Sequence, residues 1–164
     1  MAAQRVATTA EGKSPATRPM DRLEALAVGQ EDDVTRTITA EDVADFARLT
    51  GDYNALHVDA DYASRTSFRR PVAHGFLHAS LLSTLVGMKL PGPGALYLSQ
   101  SLDFSRPVFV GDTVTVRGRI ERIDAETRTV TIRTTISNQR GETVLDGMAR
   151  VNVMRPAEIG RAHV

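Results

Sequence analysis

The sequence contains no cysteine. That removes disulfides, thiolate nucleophiles and zinc–thiolate sites together, and it fits a reducing compartment, so the expectation is a cytoplasmic protein. Neither charge is in excess, with Lys+Arg and Asp+Glu at 20 each; a nucleic-acid binder usually carries a basic surplus. No apolar run reaches the ~18 residues that cross a bilayer, and nothing in the chain points to a membrane. A G-x-S-x-G elbow, a phosphate-cradling loop and a dinucleotide fingerprint are absent as well. What remains is a chain of 164 residues, 41% apolar, enough for one domain that closes a core.

Residues 1–20 have no hydrophobic core segment and so do not read as a secretory signal. Their small and polar residues predict a disordered leader. Arg5, Lys13 and Arg18 would suit a transit peptide, but Glu11 and the brevity of the stretch argue against one. The domain is expected over 21–155, with a short tail at 156–164 that holds His163. Residues 21–31 read as a short helix or loop, and the alternation from Val34 to Ile38 predicts a first strand.

Thr39, with Asp42 three positions on, resembles a capping box. Val43, Phe46, Ala47 and Leu49 recur on one helical face, and Gly51 ends that helix as a left-handed cap. Asp59 is expected to cap a second short helix before Pro71 breaks the chain. From Gly75 to Val86 the residues are apolar on several sides, which predicts a central buried helix that Gly87 terminates. Pro91-Gly92-Pro93-Gly94 is a loop. Four alternating stretches follow: Leu96 to Phe104, Val114 to Ile120, Val130 to Ile136 and Leu145 to Val153. Short turns between the later ones imply antiparallel neighbours. The fold class is α+β: a long central helix wrapped by a curved antiparallel sheet, with Gly118 and Gly147 at the expected bends and a partner subunit over the uncovered rim.

The chemistry concentrates between Phe46 and Val86. Asp52 and His57 stand five apart, which puts them on one face of neither a helix nor a strand. They converge only if the chain between them bends, and Gly51 and Asn54 suit such a bend. A carboxylate and an imidazole on one kinked segment form a candidate proton-transfer pair. Gly75 then heads the buried helix, where a backbone amide is free and the helix dipole is positive.

These residues resemble a known family. Gly51-Asp52-x-Asn54-x-Leu56-His57-x-Asp59, then Phe68, then His74-Gly75, is similar to the signature of the MaoC-like, R-specific enoyl-coenzyme A hydratases. Leu90 to Gly94, Tyr97-Leu98 and Pro107 to Asp112 extend the likeness, which covers roughly 35–153. One departure is Ala55, where many members carry proline. The resemblance implies a hot-dog fold, a homodimer, and the addition of water to trans-2-enoyl-coenzyme A to give the (3R)-hydroxyacyl thioester, or the reverse dehydration. It implies Asp52 and His57 as the catalytic pair, Gly75 as the thioester-binding amide and Ser83 as a polar helix residue nearby. It implies no metal or redox cofactor, coenzyme A entering only as part of the substrate.

Leu82, Ser83 and Val86 are expected to line the acyl channel, with Arg65, Arg69, Arg70 or Arg106 outside it where phosphates would lie. Plainer roles compete for several of these residues. Asp52 and Asp59 are common turn and cap residues, Ser83 is a small packing residue, and the helix from Phe76 is core before it is channel. His74 and His78 share the four-residue spacing of zinc ligands, but no Glu follows His74 and no third ligand presents itself. His74 is read instead as fixing the turn before Gly75. An acyl-coenzyme A thioesterase and a non-catalytic acyl-coenzyme A-binding module are the alternatives on the same fold.

Overall fold

The computed structural model describes residues 21–155, so the leader and tail expected at 1–20 and 156–164 lie outside the described residues. Six strands form one antiparallel sheet: β1 (Glu31–Thr37), β2 (Ala95–Gln100), β3 (Asp103–Phe104), β4 (Thr113–Asp124), β5 (Thr129–Ser137) and β6 (Thr143–Val153). Their order is β1-β4-β5-β6-β2, with β3 also on β6. Along β4, Val114, Val116, Gly118 and Ile120 face inward while Arg117 and Arg119 face out, as the alternation predicts.

Helix α1 (Ala40–Thr50) begins at the reciprocal capping box of Thr39 and Asp42 and ends at Gly51 in the left-handed region (φ 77). Two short helices follow: α2 (Ala55–Val58), which the sequence pattern did not reveal, and α3 (Ala60–Ser64), capped by Asp59. Helix α4 (Gly75–Thr84) is the central one. Ala79, Leu82 and Leu85 pack on Val114, Val116, Ile136 and Leu145 of the sheet, and Val43 of α1 joins the same cluster. A second cluster joins Val86 and Leu90 to Ile120, Val130, Ile132 and Val151. Each fully buried Leu or Ile contributes about 1.5–3 kcal/mol. A part-buried ion pair closes one corner: Arg128 grips both Asp21 carboxylate oxygens at 2.7 Å, and its Nε donates to the Val153 carbonyl at 2.7 Å.

Two expectations need correction. Gly87 does not end the central helix, which continues as a π-helical turn, Leu85–Lys89, closed by the Leu90 amide on the Leu85 carbonyl at 2.8 Å. That turn keeps Leu85, Val86 and Leu90 all buried. The stretch from Leu96 to Phe104 is two strands on β6 rather than one, and β2 itself shifts register between Tyr97 and Ser99. Gly118 and Gly147 lie away from the register shifts, which fall in β2, in β4 and in the β5–β6 pairing. They are points of close approach. A Cβ on Gly118 would sit 2.9 Å from Leu85 of the helical layer, and one on Gly147 would collide with the Ser101 carbonyl.

Gly147→Ala should therefore destabilise by more than about 2 kcal/mol, measured by denaturant unfolding, because backbone rather than a flexible side chain blocks the methyl. His78 on α4 gives a second prediction. It is 2% exposed, its ring edge-on to Phe104 at 5.7 Å, and burial pushes its pKa down from 6.5 to about 4. Below pH 6.5 the unfolded chain takes up a proton that the folded one refuses, so stability is full above that pH and falls on acidification toward 4. His78→Leu should remove about 2 kcal/mol of the loss between pH 7 and 5, read from melts at the two pH values.

Candidate active site

The segment between α1 and α2 is bent by a chain of local bonds. The Thr50 hydroxyl donates to the Phe46 carbonyl (2.7 Å) and accepts from the Asp52 amide (3.2 Å). The Asp52 carboxylate accepts the Asn54 amide at 3.2 Å, and Asn54 caps α2 by accepting the Leu56 amide at 3.1 Å. The His57 amide closes back on the Asn54 carbonyl at 2.8 Å. Asn54 thus shapes the bend through its side chain.

Two imidazoles complete the arrangement. His57 Nδ1 donates to the Val72 carbonyl at 2.6 Å. A carbonyl only accepts, so this bond fixes the tautomer and leaves the Nε2 lone pair available. His74 Nε2 donates to the Asp52 carbonyl at 3.0 Å. The rings lie 4.0 Å apart and 30° from parallel, and Phe46 flanks His74 at 5.1 Å. Asp52, His57 and His74 each offer a polar atom within 4.8 Å of the other two. The five-residue spacing therefore does bring the acid and the imidazole together, and His74 joins them. His78 is not among these three residues.

A cavity of about 210 Å³ is lined by Phe46, Thr50, Asp52, His57, His74, Gly75 and Phe76. Gly75 is the first residue of α4, and its amide donates to no acceptor among the described residues. The helix N-terminus adds positive potential there. The Phe104 ring lies over this glycine, 3.1 Å from where a Cβ would be. An anionic oxygen held at the amide of Gly75 would face the Asp52–His57 pair across one small cavity.

A larger, mainly apolar cavity of about 510 Å³ adjoins the first through Phe46 and Phe76, which line both. Leu82 and Ser83 line it, with Tyr97, Leu98 and Gln100 from β2. Ser83 therefore stands on the apolar side, not in the cavity of Asp52 and His57. Val86 lies beyond, 1% exposed within the second core cluster. On the other side of Gly75, a cavity of about 350 Å³ shares His57 and Gly75 and has Phe68 and Arg106 in its wall. Arg70 is committed to the Phe109 ring, 4.0 Å above its centre. Sequence reasoning found the acid, the imidazole and the amide but not Tyr97 and Gln100; polar side chains on a strand otherwise apolar were the available signal.

The model of the MaoC like domain matches residues 24–141. The chain belongs to the MaoC-like family. It is 42% identical over 130 residues to the (R)-specific enoyl-CoA hydratase of Aeromonas caviae, covering 79% of this chain and 97% of the relative. It is 41% identical to the 3-hydroxybutyryl-CoA dehydratase of Methylorubrum extorquens over 136 residues, 83% of this chain and 86% of the other. The solved (R)-hydratase of A. caviae superimposes with a TM-score of 0.78 at 42% identity, over 80% of this chain and 99% of that one. The fold of this MaoC-like chain is accordingly the hot-dog fold, one antiparallel sheet around a central helix.

Asn54→Ala should lower stability by about 1 kcal/mol, the usual worth of an N-cap, and should also release the bend between Asp52 and His57. Thermal melts read the first effect. A chemical-shift change at the His57 ring, which stays small in a Thr39→Ala control at the other helix start, reads the second.

Proposed function

We propose that this chain adds water to trans-2-enoyl-coenzyme A to give the (3R)-hydroxyacyl thioester, and catalyses the reverse dehydration. The observation that carries the reading is the meeting of Asp52 and His57 in one cavity with the amide of Gly75, which has no partner among the described residues. A water between the two side chains donates its protons to the Asp52 carboxylate and to His57 Nε2. Asp52 takes one proton as the water oxygen bonds to the β-carbon, a positioned-base effect worth ~10²–10⁴-fold. The electron pair of the double bond shifts toward the thioester, and negative charge collects on its oxygen. The Gly75 amide donates to that oxygen, an interaction worth about 3–4 kcal/mol where comparable donors have been removed. The enolate then collapses as the Asp52–His57 pair returns a proton to the α-carbon, which restores the pair to its starting state and leaves the elements of water on adjacent carbons.

In this reading the acyl tail runs past Phe76 toward Leu82 and Ser83, and the carrier arm leaves on the side of Arg106. Water addition needs only proton transfer and charge stabilisation, so no metal or redox cofactor takes part. The enzyme is read as cytoplasmic; no helix among the described residues is long and apolar enough to cross a membrane.

The working unit is proposed to be a homodimer. The β1 edge carries Glu31, Asp32 and Asp33, charges that discourage pairing with another strand. The β2 edge instead exposes Leu96 (53%) and Leu98 (50%), with Phe76 (65%) and Phe104 (46%) also uncovered. Covering β2 with a second copy buries an apolar surface that a monomer leaves wet.

Hydration of crotonyl-coenzyme A, followed by loss of the conjugated thioester absorbance, tests the activity. Asp52→Asn and His57→Ala should each cut kcat at least 100-fold while melting near the parent temperature, and a chelator should leave the rate unchanged. Release of free thiol without loss of the double bond would instead make the protein a thioesterase. Leu96→Glu should halve the molecular mass measured by light scattering.

A further inference from the structure

The far end of the apolar cavity is polar. Where α4 passes into the π-helical turn, the Leu82 carbonyl accepts the Tyr97 hydroxyl at 3.2 Å. The same hydroxyl lies 3.4 Å from Gln100 Oε1. The Gln100 amide in turn donates to the Thr134 hydroxyl at 3.0 Å and to the Ser101 carbonyl at 2.8 Å. Four groups from α4, β2 and β5, with the Ser101 turn, are thus tied into one network. π turns are frequent where a helix serves a site, and here the hydroxyl meets the helix at that irregularity.

Tyr97 also separates cavity from core. One side lines the 510 Å³ cavity, and the ring packs against the second core cluster, to which Val86, Val130 and Val151 belong. Burial raises its phenol to about 12, so the hydroxyl stays a neutral donor. Leu82 lies seven residues beyond Gly75, about 10 Å along a helix axis. An extended chain advances about 1.2 Å per bond, which allows roughly eight bonds between the thioester and the Tyr97–Gln100 network.

We propose that Tyr97 and Gln100 form the floor of the acyl cavity and set the longest chain the site accepts, at about eight carbons. This rests on the acyl-thioester reading above. A longer tail has to displace the Tyr97 hydroxyl from the Leu82 carbonyl, which breaks a hydrogen bond of the half-buried phenol, or press its methyl end onto the Gln100 amide. Either course disfavours long chains without touching the reacting carbons. Tyr97 and Gln100 are specificity-determining residues, and neither contacts the acid, the imidazole or the Gly75 amide.

The test is kcat/KM for trans-2-enoyl-coenzyme A substrates of four to twelve carbons in the parent, Tyr97→Ala and Gln100→Ala. The quantity read is the twelve- to four-carbon ratio within each preparation, which partial unfolding does not change. The parent ratio should be about a tenth or less, and each variant should raise it about tenfold. A parent that hydrates all lengths equally, or variants whose ratios stay within twofold of the parent, would overturn the proposal. If the parent hydrates none of them, the hydratase reading falls, and the floor is read instead from binding of saturated butyryl- to dodecanoyl-coenzyme A by calorimetry. There a sharp loss of affinity past eight carbons, relieved in both variants, supports it, and a flat profile refutes it.

Discussion

Two imidazole–carbonyl bonds hold the site together, and they run in opposite directions. The segment that carries Asp52 gives its histidine, His57, to the carbonyl of Val72, and the segment that carries Val72 gives His74 to the carbonyl of Asp52. Each stretch of chain anchors the other. A bond to a fixed carbonyl decides which ring nitrogen bears the proton, so the clasp sets the chemistry of His57 along with its position. It also fixes where α4 begins, because His74 immediately precedes Gly75. One pair of bonds thereby links Asp52, His57 and the Gly75 amide that shares their cavity.

The rest of the fold keeps that clasp rigid. Gly118 lets the helical layer come down on β4 until Leu85 nearly touches its backbone, and Gly147 lets the Ser101 link between β2 and β3 lie close along β6. Side-chain methyls at either point would lift the layers apart. Phe46 extends the same logic from α1, with one ring serving as neighbour of His74 and as wall of both the reacting and the apolar cavities. The hydrophobic layer and the polar site are therefore one structure, coupled through a few aromatic and glycine contacts.

Much of this was legible in the residues. The Thr39–Asp42 capping box, the Gly51 stop and the inward alternation of β4, β5 and β6 are local signals, and each local preference agrees with the final structure. The convergence of Asp52 and His57 followed from a spacing that only a bend satisfies. What the sequence hid was tertiary in origin. Gly87 carries the usual mark of a helix stop, yet the packing of Leu85, Val86 and Leu90 holds the chain in a wider turn past it. Leu96 and Leu98 alternate like core residues although their face is open in the single chain. Periodicity reports that a face is apolar and is silent on what covers it. The network from Tyr97 to Thr134 joins residues 37 positions apart through side chains that each have ordinary local roles, so no short motif marks it.

The Arg128 ion pair has a consequence for the connectivity of the chain. Asp21 and Val153, first and nearly last of the described residues, meet on a single guanidinium. A short peptide would span them, and the backbone could then be opened elsewhere, for instance at the exposed residues Gln139 to Gly141 of the turn between β5 and β6. The sheet stays open at its β1 and β2 edges, yet the two ends of the described chain meet, so the order in which its strands are synthesised is one of several that the same packing would accept.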